Sequence, residues 1–214
     1  MKKLLLTLAI AMSSVSVFAQ TRLYVNPEFN QITRNHRVIA VLPFQVSLQL
    51  RPKQMREITP SQLKEMEYSE GKDVQTAMFS WFLARSKKGK LKVQVQDPMT
   101  TNALLKKNGI SVKNVLNYSP KDLAHLLGVD AVVMGTLTTN KPMSTGATIA
   151  LGVLTGIYGI TNKATMNLFI YNGTDGVVLV NYHKTVAGSL GSSIDSMVNI
   201  LMRKASRRIP YFKK

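Results

Sequence analysis

The chain has 214 residues, 45% of them hydrophobic, which is enough to bury the core of one ordinary domain. It carries 28 lysines and arginines against 11 acidic residues, a formal net charge of +17, and this excess favours anionic partners through long-range attraction. The absence of cysteine excludes disulfide bonds, thiolate metal sites and cysteine nucleophiles.

Residues 1–19 have the pattern of a secretory signal peptide. A basic start, Lys2-Lys3, precedes an apolar run over residues 4–12 and a small-residue cleavage pattern that ends at Ala19. The apolar run is too short to cross a bilayer as a helix. We expect an exported, soluble mature protein that begins near Gln20, and no lipid anchor, because no cysteine follows the run.

The region after the leader predicts an arm and then a strand. Residues 20–37 are polar with scattered apolar positions, which indicates an extended N-terminal arm. The β-branched apolar run at residues 38–44 predicts a buried strand that stops at Pro43, and alternation over residues 46–50 continues it. We expect a single α/β domain over residues 38–210, followed by a basic tail at residues 211–214.

Three helices and one strand are predicted in the next section by their spacing and end signals. Apolar residues at helical spacing predict a long helix over residues 61–85 with Ser61 as its cap. Alternation predicts a half-buried strand over residues 91–95. Asp97-Pro98 and Ser119-Pro120 each place a capping side chain before a first-turn proline, and glycines end the two helices that they open.

The last part of the chain predicts three more strands and a final helix. An apolar strand is expected over residues 129–138, and two strands over residues 164–171 and 177–185 are joined by a glycine-containing hairpin turn. A capping-box pattern at Ser192 opens a helix that continues to about Ile209. The fold class predicted is α/β, with a mixed sheet of about four to five strands and helices packed on its faces.

The residues that carry chemistry form no recognisable catalytic or metal pattern. The histidines at positions 36, 125 and 183 are too far apart in sequence for a metal-ligand motif, and the acidic residues are scattered. Neither a nucleophile elbow nor a phosphate-binding loop occurs. We therefore expect a protein that is not an enzyme and that holds no metal and no cofactor.

The first candidate contact segment is the uncharged stretch at residues 147–160, which connects two predicted strands. Its Gly152 and Gly156 form a small-xxx-small pair. Two interpretations remain open, a buried connecting helix and a contact for a membrane or a partner subunit. The candidate contact residues are Ile149, Leu151, Val153, Leu154, Ile157 and Tyr158.

The second candidate contact segment is the C-terminal helix. Its apolar stripe is predicted to face inward and consists of Val198, Leu201, Met202, Ala205 and Ile209. The candidate residues for anionic contact project elsewhere and are Arg203, Lys204, Arg207 and Arg208. Cations at a helix C-terminus complement the helix dipole, and the same cations can rest on an anionic surface, so the two roles are compatible.

Two apolar segments carry a resemblance to a group of bacterial envelope proteins. The strand VIAVLPF at residues 38–44 and the later LGVDAVVMGTL at residues 127–137 resemble segments of the TolB amino-terminal domain, the curli secretion lipoprotein CsgG, penicillin-binding-protein activator lipoproteins and GNA-type lipoproteins. The likeness covers about residues 38–208, and residues 141–165 resemble secreted Bacteroidetes members. It implies a TolB-N/CsgG-like fold, a Gram-negative envelope and non-catalytic roles. The chain departs from the lipoprotein members in lacking the lipid-bearing cysteine.

These observations predict a periplasmic, non-enzymatic accessory protein, with the outer membrane as one place of association. Its expected partner is an envelope protein or an anionic lipid or lipopolysaccharide surface, and nucleic acid is not expected outside the cytoplasm. An alternative is a self-assembling ring or secretion-channel component of the CsgG type, with homo-oligomer contacts through the uncharged segment. However, the chain has one apolar segment where a curli-type pore has two membrane hairpins per subunit. A remote alternative is an envelope hydrolase.

Overall fold

The computed structural model describes residues 21–140, 162–188, 193–205 and 207–213. The predicted signal peptide and the uncharged segment at residues 147–160 lie outside the described residues, and they stay predictions.

Seven strands form one mixed sheet. Their order across the sheet is β1-β7-β6-β5-β2-β4, and β3 pairs with β5 beyond the end of β2. The strands β2, β3 and β4 run parallel to their partners, whereas β5, β6, β7 and β1 are antiparallel neighbours. The strand bounds are β1 Thr21–Val25, β2 Val38–Val41, β3 Gln45–Leu48, β4 Gln94–Val95, β5 Ala131–Thr139, β6 Asn162–Asn172 and β7 Val178–Gly188.

Helices pack on both faces of this sheet. One face carries the long helix α3 and the last helix α6, and the other carries α4 and α5. The helix bounds are α1 Phe29–Ile32, α2 Pro52–Met55, α3 Pro60–Lys87, α4 Pro98–Lys107, α5 Pro120–Leu127 and α6 Ile194–Ala205. The predicted α/β class with a mixed sheet and helices on its faces is confirmed. The sheet has seven strands rather than four or five because β1 lies in the section expected as an arm and β3 is a separate strand rather than a continuation of β2.

Local signals set the ends of several elements. Asp97 and Ser119 cap α4 and α5 by accepting from the backbone N–H of Thr100 and Asp122, as predicted. Gly128 ends α5 in the left-handed conformation, with φ of 65°. The cap of α3 is Thr59 rather than the predicted Ser61, because proline follows Thr59 and Gln62 completes the capping box.

The N-terminal residues belong to the sheet. The extended arm expected over residues 20–37 contains the strand β1, which pairs with β7, and the short helix α1. Phe29 of α1 is buried in the main core. This section therefore contributes a sheet edge and a core side chain to the domain.

Two hydrophobic cores lie on the two sides of the sheet. The larger core fills the space between the sheet and helices α3 and α6, and the smaller one lies under α4 and α5. The predicted inward stripe of α6 is buried, including Ile209 beyond the end of the helix. The expected continuation of α6 to Ile209 is wrong: the helix ends at Ala205, whose carbonyl accepts from the N–H groups of Arg208 and Ile209 as the chain turns.

A glycine allows α3 to pack directly against the chain that follows β2. A Cβ atom on Gly71 would lie 2.1 Å from the carbonyl oxygen of Phe44, and the N–H of Phe44 donates to the carbonyl of Gly71 at 3.1 Å. The helix therefore reaches the chain after β2 with backbone against backbone, and no side chain fits between them.

Candidate functional site

The C-terminal segment folds back against the end of helix α3. Phe212 forms an antiparallel bridge with Leu91, and the backbone N–H of Lys92 donates to the carbonyl of Tyr211 at 2.9 Å. The N–H of Lys213 donates to the carbonyl of Lys90 at 3.0 Å. These hydrogen bonds join residues 90–92 to residues 211–213 in a short ladder.

Aromatic packing fixes this junction. Phe212 stacks on Phe82 with ring centroids 5.7 Å apart and meets Trp81 edge to face at 5.4 Å. Tyr211 contacts Phe29 edge to face at 4.9 Å. Such ring pairs contribute about 0.5–1.5 kcal/mol each beyond their buried area, so the C-terminal segment is part of the core.

The junction brings two basic segments side by side. Residues 85–92 and 207–213 contain no acidic residue, so neither segment supplies a countercharge for the other. Seven exposed cations result, which we call the basic face: Lys87, Lys88, Lys90, Lys92, Arg207, Arg208 and Lys213. Neighbouring like charges raise the local potential and attract anions.

A cleft of about 560 Å³ opens within the basic face. Its cationic rim is formed by four members of the face, Lys92, Arg207, Arg208 and Lys213, and Asn30 adds an amide. Its apolar lining comes from Ile209, Pro210 and Phe212. No carboxylate or imidazole lines this cleft, so its chemistry is that of an anion-binding site.

Two side chains of β7 hold the C-terminal half of α6, the helix that precedes the cleft residues in the chain. The hydroxyl of Tyr182 and the ammonium group of Lys184 both donate to the carbonyl of Leu201, and Lys184 also donates to the carbonyl of Ile200. Burial raises the pKa of Tyr182, and the charge of Arg208 acts in the opposite direction. The charge of Arg208 therefore acts on the buried hydroxyl of Tyr182, although the Arg208 side chain is itself exposed.

The four predicted anionic-contact residues are divided between two places. Arg207 and Arg208 line the cleft. Arg203 is exposed on α6 and is not a lining residue, and Lys204 lies in the same helix. The six predicted apolar contact residues, from Ile149 to Tyr158, lie outside the described residues.

Sequence reasoning missed three residues that line the cleft. Lys92 was predicted only as a polar strand position, Lys213 as part of the tail, and Asn30 as part of the arm. The basic run that contains Lys88 and Lys90 is visible in the sequence, but its pairing partner lies more than a hundred residues away. Only the ladder between residues 90–92 and 211–213 reveals that the two runs share one surface.

A second cleft, of about 460 Å³, lies at the end of α5 and includes His125 and Asp130. The carboxylate of Asp130 accepts from the backbone N–H groups of Arg37 and Val38 at 2.6 and 2.9 Å. This carboxylate therefore fastens the start of β2 to the start of β5. Across the described ranges, no group of three or more His, Cys, Asp or Glu residues could hold a metal ion. In the same part of the chain, no helix has the length and apolar character needed to cross a membrane.

No family model matches the chain, and no curated protein matches it in sequence. Among solved structures, the chain is similar to the PelC dodecamer from Paraburkholderia phytofirmans, with 13% identity, a TM-score of 0.48, and coverage of 92% of this chain and 99% of that one. It is also similar to the lipoprotein GNA1162 from Neisseria meningitidis, with 16% identity, a TM-score of 0.44, and coverage of 81% and 98%.

The structure of LpoB from E. coli is a third similar one, with 9% identity, a TM-score of 0.40, and coverage of 75% of this chain and 64% of that one. GNA1162 is a lipoprotein of the kind that the sequence resemblance names. At TM-scores below 0.5, these likenesses are too weak to transfer a function to this chain.

Proposed function

We propose that the protein is a non-catalytic accessory protein of the bacterial envelope that binds an anionic envelope surface through the basic face. The observation that carries this proposal is the junction of two acid-free basic segments by the ladder between residues 90–92 and 211–213. The envelope location rests on the leader pattern at residues 1–19.

The arrangement of the cations supports a binding role over a role in solubility alone. A solubilising surface works best with both signs of charge interspersed, since clustered like charges repel. Here backbone hydrogen bonds join the two acid-free segments that carry these seven cations, and four of the cations line one cleft. A lysine or arginine near an anionic membrane contributes about 1 kcal/mol, so several acting together give useful affinity.

The proposal assigns no reaction to this surface. The cleft in the basic face is lined by cations, one amide and apolar side chains, and it offers no general base or nucleophile pair among these lining residues. The charge of the face and its apolar floor fit attachment to a surface or partner.

Retention on vesicles tests this function. The full exported chain is mixed with vesicles of phosphatidylcholine that contain phosphatidylglycerol, and sedimented protein is measured between about 0.01 M and 0.15 M salt. The double variant Arg207→Glu/Arg208→Glu is expected to lose most of the retention, and the wild type is expected to lose it as salt rises. The matched control is Lys106→Glu/Lys107→Glu, which reverses two exposed cations on α4, on the opposite face of the sheet. Unchanged retention of the Arg207/Arg208 variant would contradict the proposal.

The ring or secretion-channel alternative depends on residues 147–160, outside the described residues. It remains a prediction with its own test. Sedimentation velocity of the exported chain with and without detergent should give a ring-sized species if the uncharged segment makes subunit contacts. A monodisperse monomer under both conditions would exclude assembly.

A further inference from the structure

The basic face contains a defined cleft as well as a diffuse patch of charge. Four cations stand on the cleft's rim, and the side chains on its floor are apolar. Its volume of about 560 Å³ lies within the range of about 300–1,000 Å³ that is usual for small-molecule sites.

From this combination we propose that the cleft is a binding site for one phosphate-bearing amphiphile, with the phosphate group at the rim and the adjoining carbon skeleton on the floor. This inference rests on the proposed function and names the ligand chemistry of the same face. The phosphate is held by Arg207, Arg208, Lys92 and Lys213, and the carbon skeleton lies against Ile209, Pro210 and Phe212.

The rim favours phosphate over a carboxylate because of its number and type of donors. A guanidinium group is a planar fork that matches two oxygens of a phosphate, and a lysine adds a point charge. Two arginines and two lysines together offer more hydrogen-bond donors than the two oxygens of a single carboxylate can accept from. A phosphate has more oxygens and, as a monoester, a larger charge.

The floor favours a ligand with a carbon skeleton beside the phosphate. Ile209 and Phe212 are only 2% and 6% exposed, and Phe212 packs against Trp81 and Phe82, so these two residues form a rigid base. Pro210 is half-buried, and it offers the apolar atoms that a glycerol or sugar skeleton covers and that a bare phosphate ion leaves in water.

The cleft is preorganised on both sides. The N–H groups of Arg208 and Ile209 donate to the carbonyl of Ala205 at 2.9 and 3.0 Å, and Lys213 is tied to Lys90. Because the backbone of the rim residues is already fixed, binding orders only the long side chains, which lowers its entropic cost.

Calorimetric titration with a short-chain, monomeric phosphatidic acid, whose phosphate is a monoester, tests the site, with inorganic phosphate as a second ligand. The full exported chain is expected to bind the lipid with a stoichiometry of one and to bind inorganic phosphate more weakly. The variant Lys92→Gln/Arg207→Gln is expected to weaken lipid binding by roughly tenfold or more, because it removes two charged donors. The matched control, Lys87→Gln/Lys88→Gln, removes the same charge from the basic face outside the cleft and should weaken binding less than roughly threefold.

The outcomes separate this inference from the proposed function. Equal weakening by the two double variants, or no saturable lipid binding while vesicle retention persists, would overturn the cleft and leave the diffuse surface role standing. If the wild type is not retained on the vesicles even at the lowest salt concentration, both the proposed function and the cleft are overturned. Inorganic phosphate that binds as tightly as the lipid would overturn the role of the apolar floor and assign the rim to free phosphate.

Discussion

The hydroxyl of Tyr211 lies 2.6 Å from Nδ1 of His36, although the two residues are 175 positions apart in the chain. Burial raises the pKa of Tyr211, and burial lowers the pKa of His36 against the opposing charge of Asp130. Near pH 7 both groups are therefore neutral, and the hydroxyl and Nδ1 share one hydrogen bond whose donor is set by the histidine tautomer. This contact fixes Tyr211, which is the residue whose carbonyl accepts from Lys92 in the ladder.

The lowered pKa of His36 predicts a loss of stability in mild acid. In the unfolded chain this histidine titrates near 6.5, so below that pH the unfolded state binds more protons than the folded state. The free energy of unfolding should fall as the pH drops from about 7 towards 5, and this residue should contribute no slope above about 7. Urea unfolding at a series of pH values measures the effect.

The variant His36→Gln should flatten that pH dependence while costing about 1 kcal/mol for the altered hydrogen bond. The control is Gln31→Ala, an exposed substitution near His36 that leaves the imidazole in place and should keep the wild-type slope between pH 5 and 7. If the slope of His36→Gln equals that of the wild type, the pH effect comes from other groups.

Gly71→Ala should destabilise the protein although alanine is the better helix former. The helix propensity gain is about 1 kcal/mol, but the new methyl group would lie 2.1 Å from the backbone carbonyl of Phe44. Backbone cannot swing aside as a side chain does, and overpacking of this kind typically costs about 1–3 kcal/mol. We expect a net loss in thermal unfolding, whereas Ser80→Ala, on the exposed side of the same helix, should be neutral or slightly stabilising.

The two candidate caps of helix α3 give a direct comparison. Thr59 accepts from the N–H of Gln62 at 3.2 Å, and the Gln62 side chain accepts from the N–H of Thr59. Thr59→Ala should therefore cost about 1 kcal/mol. Ser61→Ala should change the free energy of unfolding by less than about 0.5 kcal/mol, since Ser61 lies inside the helix and is exposed. Denaturant midpoints of the two variants decide between these caps.

Phe212→Leu should weaken the junction under the basic face. The substitution removes the stacking on Phe82 and the edge contact with Trp81, so we expect a loss of about 1–3 kcal/mol in the free energy of unfolding. Leu83→Ala is the control, because Leu83 is 46% exposed and its truncation removes little buried area. A result within error of the wild type would show that the C-terminal segment is not part of the cooperative core.

Elements whose signals are local could be predicted from sequence. Asp97 and Ser119 were identified as caps because the capping side chain, the proline and the closing glycine all lie within about a dozen residues. The hairpin between β6 and β7 can also be predicted from local sequence, since its turn carries Gly176, which has a φ of 77°. The inward stripe of α6 followed from its helical spacing.

Features that depend on distant pairing could not be predicted. Strand β1 is five residues of weak pattern, and it becomes a strand because β7 pairs with it about 160 positions later, Thr21 opposite Lys184. The cleft has the same origin: Lys92 and Arg207 are ordinary surface cations in the sequence, and the ladder next to Phe212 makes them neighbours. Interactions of long sequence separation leave no local signature that periodicity can detect.

The basic face also sets how occupancy and folding are linked. Closing the ladder adds repulsion between the cations of residues 85–92 and those of residues 207–213, so part of the folding free energy offsets this assembly of like charges. An anion bound there relieves that repulsion in the folded chain and has no such gathered charge to meet in the unfolded one. Anion binding should therefore stabilise the folded state, and folding should favour anion binding. The melting temperature should rise with the fraction of the protein that has an anion bound.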